Sequence, residues 1–249
     1  MLSEKSYEAL ANLLKSNPEV EEIIQSIISD NKKFNSILVH ELRNPLSLLK
    51  GTIQYIEYKH PETKEFKYWN QLQDLVNDME QLMADASLLN TCNIINKENT
   101  DLIALVNNIV STFMPQAISQ EISLSLSVDP ECKGYFSNYN CDPKRLKQVL
   151  SNLVKNAFEA TKPGDYIRIK LAYLENGSSI PKLSLQVSNN GLPIPDDEIE
   201  TIFTPFVTYK KDGTGVGLAI VKKIVDLHYG SIQVTSNDKE TSFTILLPL

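Results

Sequence analysis

The hexapeptide His40-Glu41-Leu42-Arg43-Asn44-Pro45 sets a nucleophile, a carboxylate and a neutral amide within little more than one helical turn. An imidazole can attack through one ring nitrogen while a neighbouring carboxylate accepts a hydrogen bond from the other and fixes the tautomer. Glu41 stands in that place. Asn44, one turn on from His40, can orient a water. Taken alone, the same residues read equally well as a surface histidine beside a helix-forming glutamate. A second group follows at Asn152 and Asn156, four apart on one helical face. Amide oxygens are hard ligands that suit a Mg²⁺ already carried by phosphates. Asn is a weak helix former, which makes two of them mid-helix less expected, though a polar helix face is the plainer explanation.

Two glycine segments lie further on. Val187 to Pro195 leaves a strand for a loop through Asn189-Asn190-Gly191, and Asp212 to Leu218 opens a helix through Gly213-Thr214-Gly215-Val216-Gly217. Glycine lets backbone approach a ligand, and a helix N-terminus favours phosphate. No Gly-Lys-Ser/Thr follows, so this is not a P-loop. A long loop rather than a strand precedes it, which argues against a dinucleotide fingerprint. Between the segments, Phe203-Thr204-Pro205-Phe206 reads either as local packing or as the anchor of a lid. Lys210 and Lys211 beside it are candidates for phosphate, although exposed lysines usually only solvate.

These groups need positioning elements. Phe34, Leu38, Leu42, Pro45, Leu49, Ile53 and Ile56 recur every three or four residues, one face of a helix over 31–57. With Leu38 at the centre of that stripe, His40 falls on the opposite, solvent-facing side. Pro45 conflicts with the pattern because it removes a backbone donor and should kink the helix. His60-Pro61 marks a turn. Trp69, Leu72, Val76, Met79, Met83 and Ala86 form a second stripe, flanked by Leu75, Leu82 and Leu89. Two such helices predict an antiparallel hairpin, and a lone hairpin leaves stripe uncovered, so a dimeric four-helix bundle is expected. Ahead of it, residues 1–30 form a helical lead-in, with helices over Tyr7–Leu14 and Glu19–Ser29.

From about residue 100 the pattern changes. Helices are predicted over Asp101–Gln116, Asp142–Ala160 (Asp142 as N-cap, Pro143 just inside) and Val216–His228. Strands are predicted over Ile122–Val128, Tyr166–Leu174, Lys182–Val187, Ser231–Thr235 and Thr241–Leu247, with Asn176-Gly177 in a hairpin connection. Together they predict an α+β chain: a helical hairpin at 31–96, then a two-layer α/β sandwich at 97–249.

Composition narrows the function classes. The chain has 249 residues, 42% hydrophobic and 22% charged, with a net charge of −7. An acidic balance disfavours nucleic acid and anionic membrane surfaces. No apolar run approaches the ~20 residues of a membrane helix, and no secretory leader is evident. Cys92, Cys132 and Cys141 form no CxxC pair and read as reduced thiols. A soluble, cytoplasmic protein is expected. His60 reads as a plain surface residue in the turn. His228 reads as a helix-terminal histidine whose partial positive charge suits the dipole.

The order of these segments resembles the bacterial sensor histidine kinases of two-component signalling. His40 to Pro45 is similar to their H box, Asn152 to Ala160 to the N box, and Asn189 to Pro195 to the G1 box. Phe203 to Phe206 is similar to the F box and Gly213 to Leu218 to the G2 box. The resemblance covers roughly 31–249, and the sporulation-type kinases are the most similar group. It implies a dimerisation and phosphotransfer hairpin followed by a GHKL-type ATP-binding domain. It implies that ATP and Mg²⁺ bind among Asn152, Asn156, Asn189, Gly191, Phe203, Lys210, Gly213, Thr214, Gly215, Gly217 and Leu218. Asn156 would hold the metal. The γ-phosphoryl group would pass to His40, assisted by Glu41, and then to an aspartate of a response-regulator receiver domain, with Asn44 serving in dephosphorylation. Phosphoryl transfer needs alignment and charge neutralisation above all, which a separate, mobile ATP-binding domain can supply. A homodimer through the hairpin and a separate sensor protein are the expected partners.

Three positions depart from the family. Asn189 stands where an Asp accepts a hydrogen bond from the adenine amino group, and Pro193 replaces the second glycine of that box. Glu159 occupies a position where many members carry a basic residue. An amide oxygen accepts without charge assistance, so weaker adenine binding is expected. Two other readings therefore stay open: a phosphotransfer or phosphatase module with weak or lost ATP binding, and a non-catalytic partner of other histidine kinases.

Overall fold

Helix α1 runs from Pro18 to Lys59 and α2 from Trp69 to Thr91, joined by a 3-10 turn over Pro61–Glu65. The computed structural model describes residues 18–91, 95–130, 133–174, 181–210 and 213–249. The chain divides into two compact units, Met1–Thr91 and Cys92–Leu249. The expected helix over Tyr7–Leu14 and the Asn176-Gly177 connection lie outside the described residues, as do Cys92 and Cys132. The predicted helix over Glu19–Ser29 is continuous with the helix that carries His40.

Pro45 lies within α1 without ending it. Pro45 is exposed, and the only intrahelical donor it removes is its own. The seam of the hairpin is Leu46, Ile53 and Val76, with Trp69 and Met83 packed against them. The stripe read from the sequence shares Ile53 with this seam but included Pro45 and Leu49 and left out Leu46. Leu49 is largely exposed, as are Leu38 and Leu42 on α1 and Leu72, Leu75 and Met79 on α2. The side chains of Phe34 and Leu89 are outside the described residues. Lys64 pairs with Glu57 at 2.9 Å and holds its carboxyl below the ordinary carboxylate range.

In the second unit, α3 spans Leu102–Ser119, α5 Pro143–Ala160 and α7 Gly217–Leu227. Short helices occupy Lys133–Phe136 (α4) and Asp196–Ile199 (α6). The strands are β1 Glu98–Thr100, β2 Ser123–Val128, β3 Tyr139–Cys141, β4 Tyr166–Leu174, β5 Lys182–Asn189, β6 Ser231–Ser236 and β7 Thr241–Pro248. Five of them form one sheet in the order β2-β4-β5-β7-β6. Only β2 and β4 pair parallel; the remaining pairs are antiparallel. β1 and β3 make a separate two-stranded ladder.

Helices α3, α5 and α7 form the second layer of this α+β sandwich. Leu146, Val149, Leu150, Leu153 and Val154 of α5 meet Ile167, Ile169 and Leu171 of β4 and Leu183, Leu185 and Val187 of β5 in a buried core. α3 is long and apolar enough by composition to cross a membrane. Its Leu102, Val106, Ile109 and Ala117 are buried in the unit, where the helix packs on β2 and α5. Asp101 caps α3 by accepting from the Ala104 amide at 2.9 Å.

Candidate functional site

His40, Glu41 and Asn44 are all exposed on α1, as expected for His40 from its place opposite the stripe. His40 and Asn44 are one turn apart and share a face. A shallow groove continues along that face, lined by Asn44, Ser47, Leu48, Gly51, Thr52 and Tyr55. An exposed imidazole with an acidic neighbour and an amide one turn away can accept and release a group without moving the helix core.

The other candidates gather in the second unit. Asp142 caps α5 through its carboxylate, which accepts from the Arg145 amide at 3.1 Å, and Pro143 supplies the first helical turn. The cap fixes the start of the helix, and its apolar face fixes the rotation. Asn152 and Asn156 are therefore held on the half-buried side. Asn152 donates through Nδ2 to the Gly217 carbonyl at 3.2 Å, joining α5 to the first residue of α7. The Asn156 Oδ1 accepts from Lys210 Nζ at 3.3 Å, and Lys210 also pairs with Glu159. The loop thus brings positive charge to the acidic position on α5. Lys211 and Asp212 lie outside the described residues.

The glycines divide into two kinds. Gly215 has φ +67°, and a Cβ there would meet Phe206 and Val207 backbone atoms at 2.6 Å. Its carbonyl accepts from the Phe206 amide at 2.9 Å, so the loop closes on itself. Gly191 sits against the Ala160 carbonyl, where a Cβ would lie at 2.1 Å. Both are required by the protein's own packing. Gly217 is different: among the described residues only Asn152 lies near its missing Cβ, at 3.8 Å or more. Thr214 is exposed and Leu218 half-buried beside this opening. Phe203 packs edge-on against the buried Phe243 with ring centroids 6.4 Å apart, while Phe206 is exposed at φ +64°. Phe203 thus packs locally, as one sequence reading of this segment expected, and Phe206 faces solvent.

Asn189 was expected in a loop. It is the last residue of β5, paired with Ile167 on β4 and Thr241 on β7, and 4% exposed. Its Nδ2 is buried with no hydrogen-bond partner among the described residues. An unpaired buried donor costs about 1–3 kcal/mol. A purine ring offers the acceptor that would recover this, and the Asn156 oxygen and the space at Gly217 suit a phosphate-borne metal. The residues present therefore fit a Mg²⁺ nucleotide.

Residues 141–249 match the model of the "Histidine kinase-, DNA gyrase B-, and HSP90-like ATPase" family. The chain is 32% identical to a solved catalytic domain of the histidine kinase ThkA, with a TM-score of 0.55, covering 62% of this chain and 96% of that one. The chain belongs to the histidine kinase family. It is 33% identical to the sensor histidine kinase ZraS of Escherichia coli K12, over 85% of this chain and 44% of ZraS. Sporulation kinase E of Bacillus subtilis is 27% identical, over 85% of this chain and 28% of its own length. The chain thus spans less than half the length of these curated relatives. The higher identity to ZraS shows that the resemblance is not confined to the sporulation type.

Within this member of the histidine kinase family, His228 takes a place the sequence did not predict. It is 1% exposed. Nδ1 lies 2.8 Å from the Ile224 carbonyl, and Nε2 accepts from the Asp142 amide at 3.0 Å. Those two contacts require Nδ1–H and a neutral ring. Burial pushes the pKa of His228 below its ordinary value. A partly positive helix-terminal histidine is thereby corrected to a neutral, buried one. The Asp142 carboxylate also accepts from the Asn96 amide at 3.0 Å. The start of α5, the end of α7 and the segment leading into β1 meet at these two side chains. Their signal in the sequence was partial: Asp142 read as a cap, and nothing in the spacing linked it to a histidine 86 residues on.

Proposed function

We propose that this chain is an ATP-dependent protein-histidine autokinase that phosphorylates His40 and passes the phosphoryl group to a response-regulator aspartate. The observation that carries the reading is the pairing of an exposed His40-Glu41-Asn44 face with a second unit that presents Asn156 Oδ1, an orphan Asn189 donor and an open helix start at Gly217. ATP supplies the phosphoryl group and Mg²⁺ neutralises its charge. Asn156 would hold the metal, with Lys210 moving from the Asn156 oxygen towards phosphate as the metal arrives. Asn152 holds the start of α7, where Gly213, Thr214, Gly215, Gly217 and Leu218 form the phosphate-side wall. Phe203 anchors the lid and Gly191 seats the base-side loop on α5.

On the hairpin, Glu41 would hold the His40 imidazole in one tautomer, leaving the other nitrogen free to attack. Asn44 would orient water for dephosphorylation of the regulator. The exposed Leu38, Leu42, Leu49, Leu72, Leu75 and Met79 support a homodimer through the hairpin, since a second copy buries a matching apolar face. A receiver domain and a separate sensor protein are the proposed partners, in the cytoplasm. Incubation of wild type and His40→Gln with γ-labelled ATP and Mg²⁺ tests the reading. Acid-labile label on wild type and none on the variant is expected. No label on a folded, dimeric wild type would favour a phosphotransfer module that depends on another kinase.

A further inference from the structure

We propose that Asp142 and His228 are positioning residues for the nucleotide site: their contact fixes the far end of α7 on α5 and thereby sets where α7 begins. The proposal rests on the nucleotide-binding reading above and adds a pair of residues that touches no ligand.

The two ends of α7 are built differently. At its start Val216 stands in the cap position, and its apolar side chain cannot bond the first amides. Asn152 ties this end to α5 through the contact of Nδ2 with the Gly217 carbonyl at 3.2 Å. The other end is closely fitted. Tyr229 turns the chain at φ +60°, and the Gly230 amide donates to the Val225 carbonyl at 3.0 Å. A Cβ on Gly230 would lie 2.6 Å from the Leu246 carbonyl, so the helix finishes hard against β7. His228 then reaches across to α5, where its buried Nε2 accepts from the Asp142 amide at 3.0 Å. The Asp142 carboxylate is engaged as well, by the Arg145 amide at 3.1 Å and the Asn96 amide at 3.0 Å. One end of α7 is thus set by the surrounding structure, and the end that faces the nucleotide site follows from it.

The spacing of the two contacts matters. Asp142 to Asn152 covers about 15 Å along α5, and Gly217 to His228 covers about 16 Å along α7, at about 1.5 Å per residue. Two antiparallel helices are therefore joined at matching distances, with one polar contact at each end. The buried Ile220, Val221, Ile224 and Val225 hold α7 in the core, where it packs on α5. Apolar attraction has no direction, whereas a hydrogen bond tolerates little change in distance or angle. The polar contacts are what fix the slide and tilt of one helix on the other. Asn156 lies one turn beyond Asn152 on α5. The separation of its Oδ1 from the first amides of α7 accordingly depends on a junction at the opposite end of both helices. Small displacements of this kind are costly, since about 1 Å of misplacement can lower a reaction rate about a hundredfold.

Calorimetric titration of the full chain with ADP and Mg²⁺ tests the proposal, each protein being held well below its melting temperature. His228→Leu removes the acceptor that faces the Asp142 amide and is expected to weaken ADP by roughly tenfold. His228→Gln returns a neutral side chain with a carbonyl acceptor at similar reach, and its affinity is expected within about threefold of wild type. Leu183→Ala is the control: it opens the buried core at the start of β5, the end away from Asn189, and leaves the junction intact. It is expected to lose stability and keep the wild-type affinity. A merely structural His228 would behave like Leu183, with no change in the affinity of the folded molecules. Should His228→Leu fail to fold, His228→Asn takes its place, because its amide can still meet the Ile224 carbonyl but is too short for the Asp142 amide. Wild-type affinity in the Leu or Asn variant, a Gln variant as weak as these, or equal weakening in Leu183→Ala overturns the proposal while ADP binding by wild type keeps the nucleotide reading. If wild type does not bind ADP, the nucleotide reading falls and takes the proposal with it.

Discussion

In the hairpin, Leu46, Ile53 and Val76 are buried while Leu38, Leu42, Leu49, Leu72, Leu75 and Met79 stay exposed; in the second unit, whole faces of α5, α7, β4, β5 and β7 are closed from solvent. The two regions have similar kinds of residue but different means of covering them. A sheet with helices on it finishes its core within one chain. Two helices cannot, because each stripe is wider than the seam a single partner covers. The difference teaches a division of labour. The part that presents His40 is expected to depend on a second copy, and the part that binds nucleotide is expected to stand on its own.

The largest expected effect is on the closed core. Leu150 is fully buried, and Leu150→Ala should lower the unfolding free energy of the second unit by about 2–5 kcal/mol. Chemical denaturation at two protein concentrations should give the same loss at both. A loss that varies with concentration would break the contrast between the units. Next in size is the open face. The double substitution Leu49→Asp and Leu72→Asp should raise the dimer dissociation constant by roughly a hundredfold or more, from lost apolar burial and buried charge. Sedimentation equilibrium reads it, and an unchanged dimer would place the interface elsewhere.

A smaller effect is expected at Gly215. Alanine there combines φ +67° with a Cβ 2.6 Å from backbone, so the loop must shift. Nucleotide affinity should fall by about tenfold, as for about 1–2 kcal/mol of displaced contact, while the dimer is unchanged. The smallest concerns pH. The folded-state pKa of His228 lies below the ordinary 6.5, so the unfolded chain takes up a proton first as pH falls. Stability of the second unit should be full above about pH 6.5 and fall towards the depressed value, by at most about 1.4 kcal/mol per pH unit. His228→Leu should be less stable at neutral pH and should lose this slope. Equal slopes in thermal melts of both proteins would contradict the neutral, buried ring.

Much of this was legible before the structure. The α5 start was readable because Asp142-Pro143 is a strong local signal and the helix satisfies it locally. The five long strands were readable from alternation and β-branched content. The face carrying His40 and Asn44 followed from helical period alone. What was not legible depends on contacts distant in the chain. β1 and β3 are three residues each, too short to show a period. The parallel pairing of β2 with β4 has no local mark. Sequence spacing included Ile53 in the α1 stripe but took Pro45 and Leu49 in place of Leu46, while the seam runs through Leu46 and Ile53 against Val76 and Trp69 on α2. Asn189 looked like a loop residue because its polar character outweighed its place at a strand end. The Lys210–Glu159 pair joins residues 51 apart through a loop with no periodic pattern.

The central claim is that phosphate from ATP comes to rest on the imidazole of the hairpin. Mass-spectrometric mapping of wild type at neutral pH, after incubation with Mg²⁺ and ATP, tests it most directly. Phosphate located on His40 is the expected result. Phosphate on another residue, or none on a chain that binds nucleotide, would contradict it.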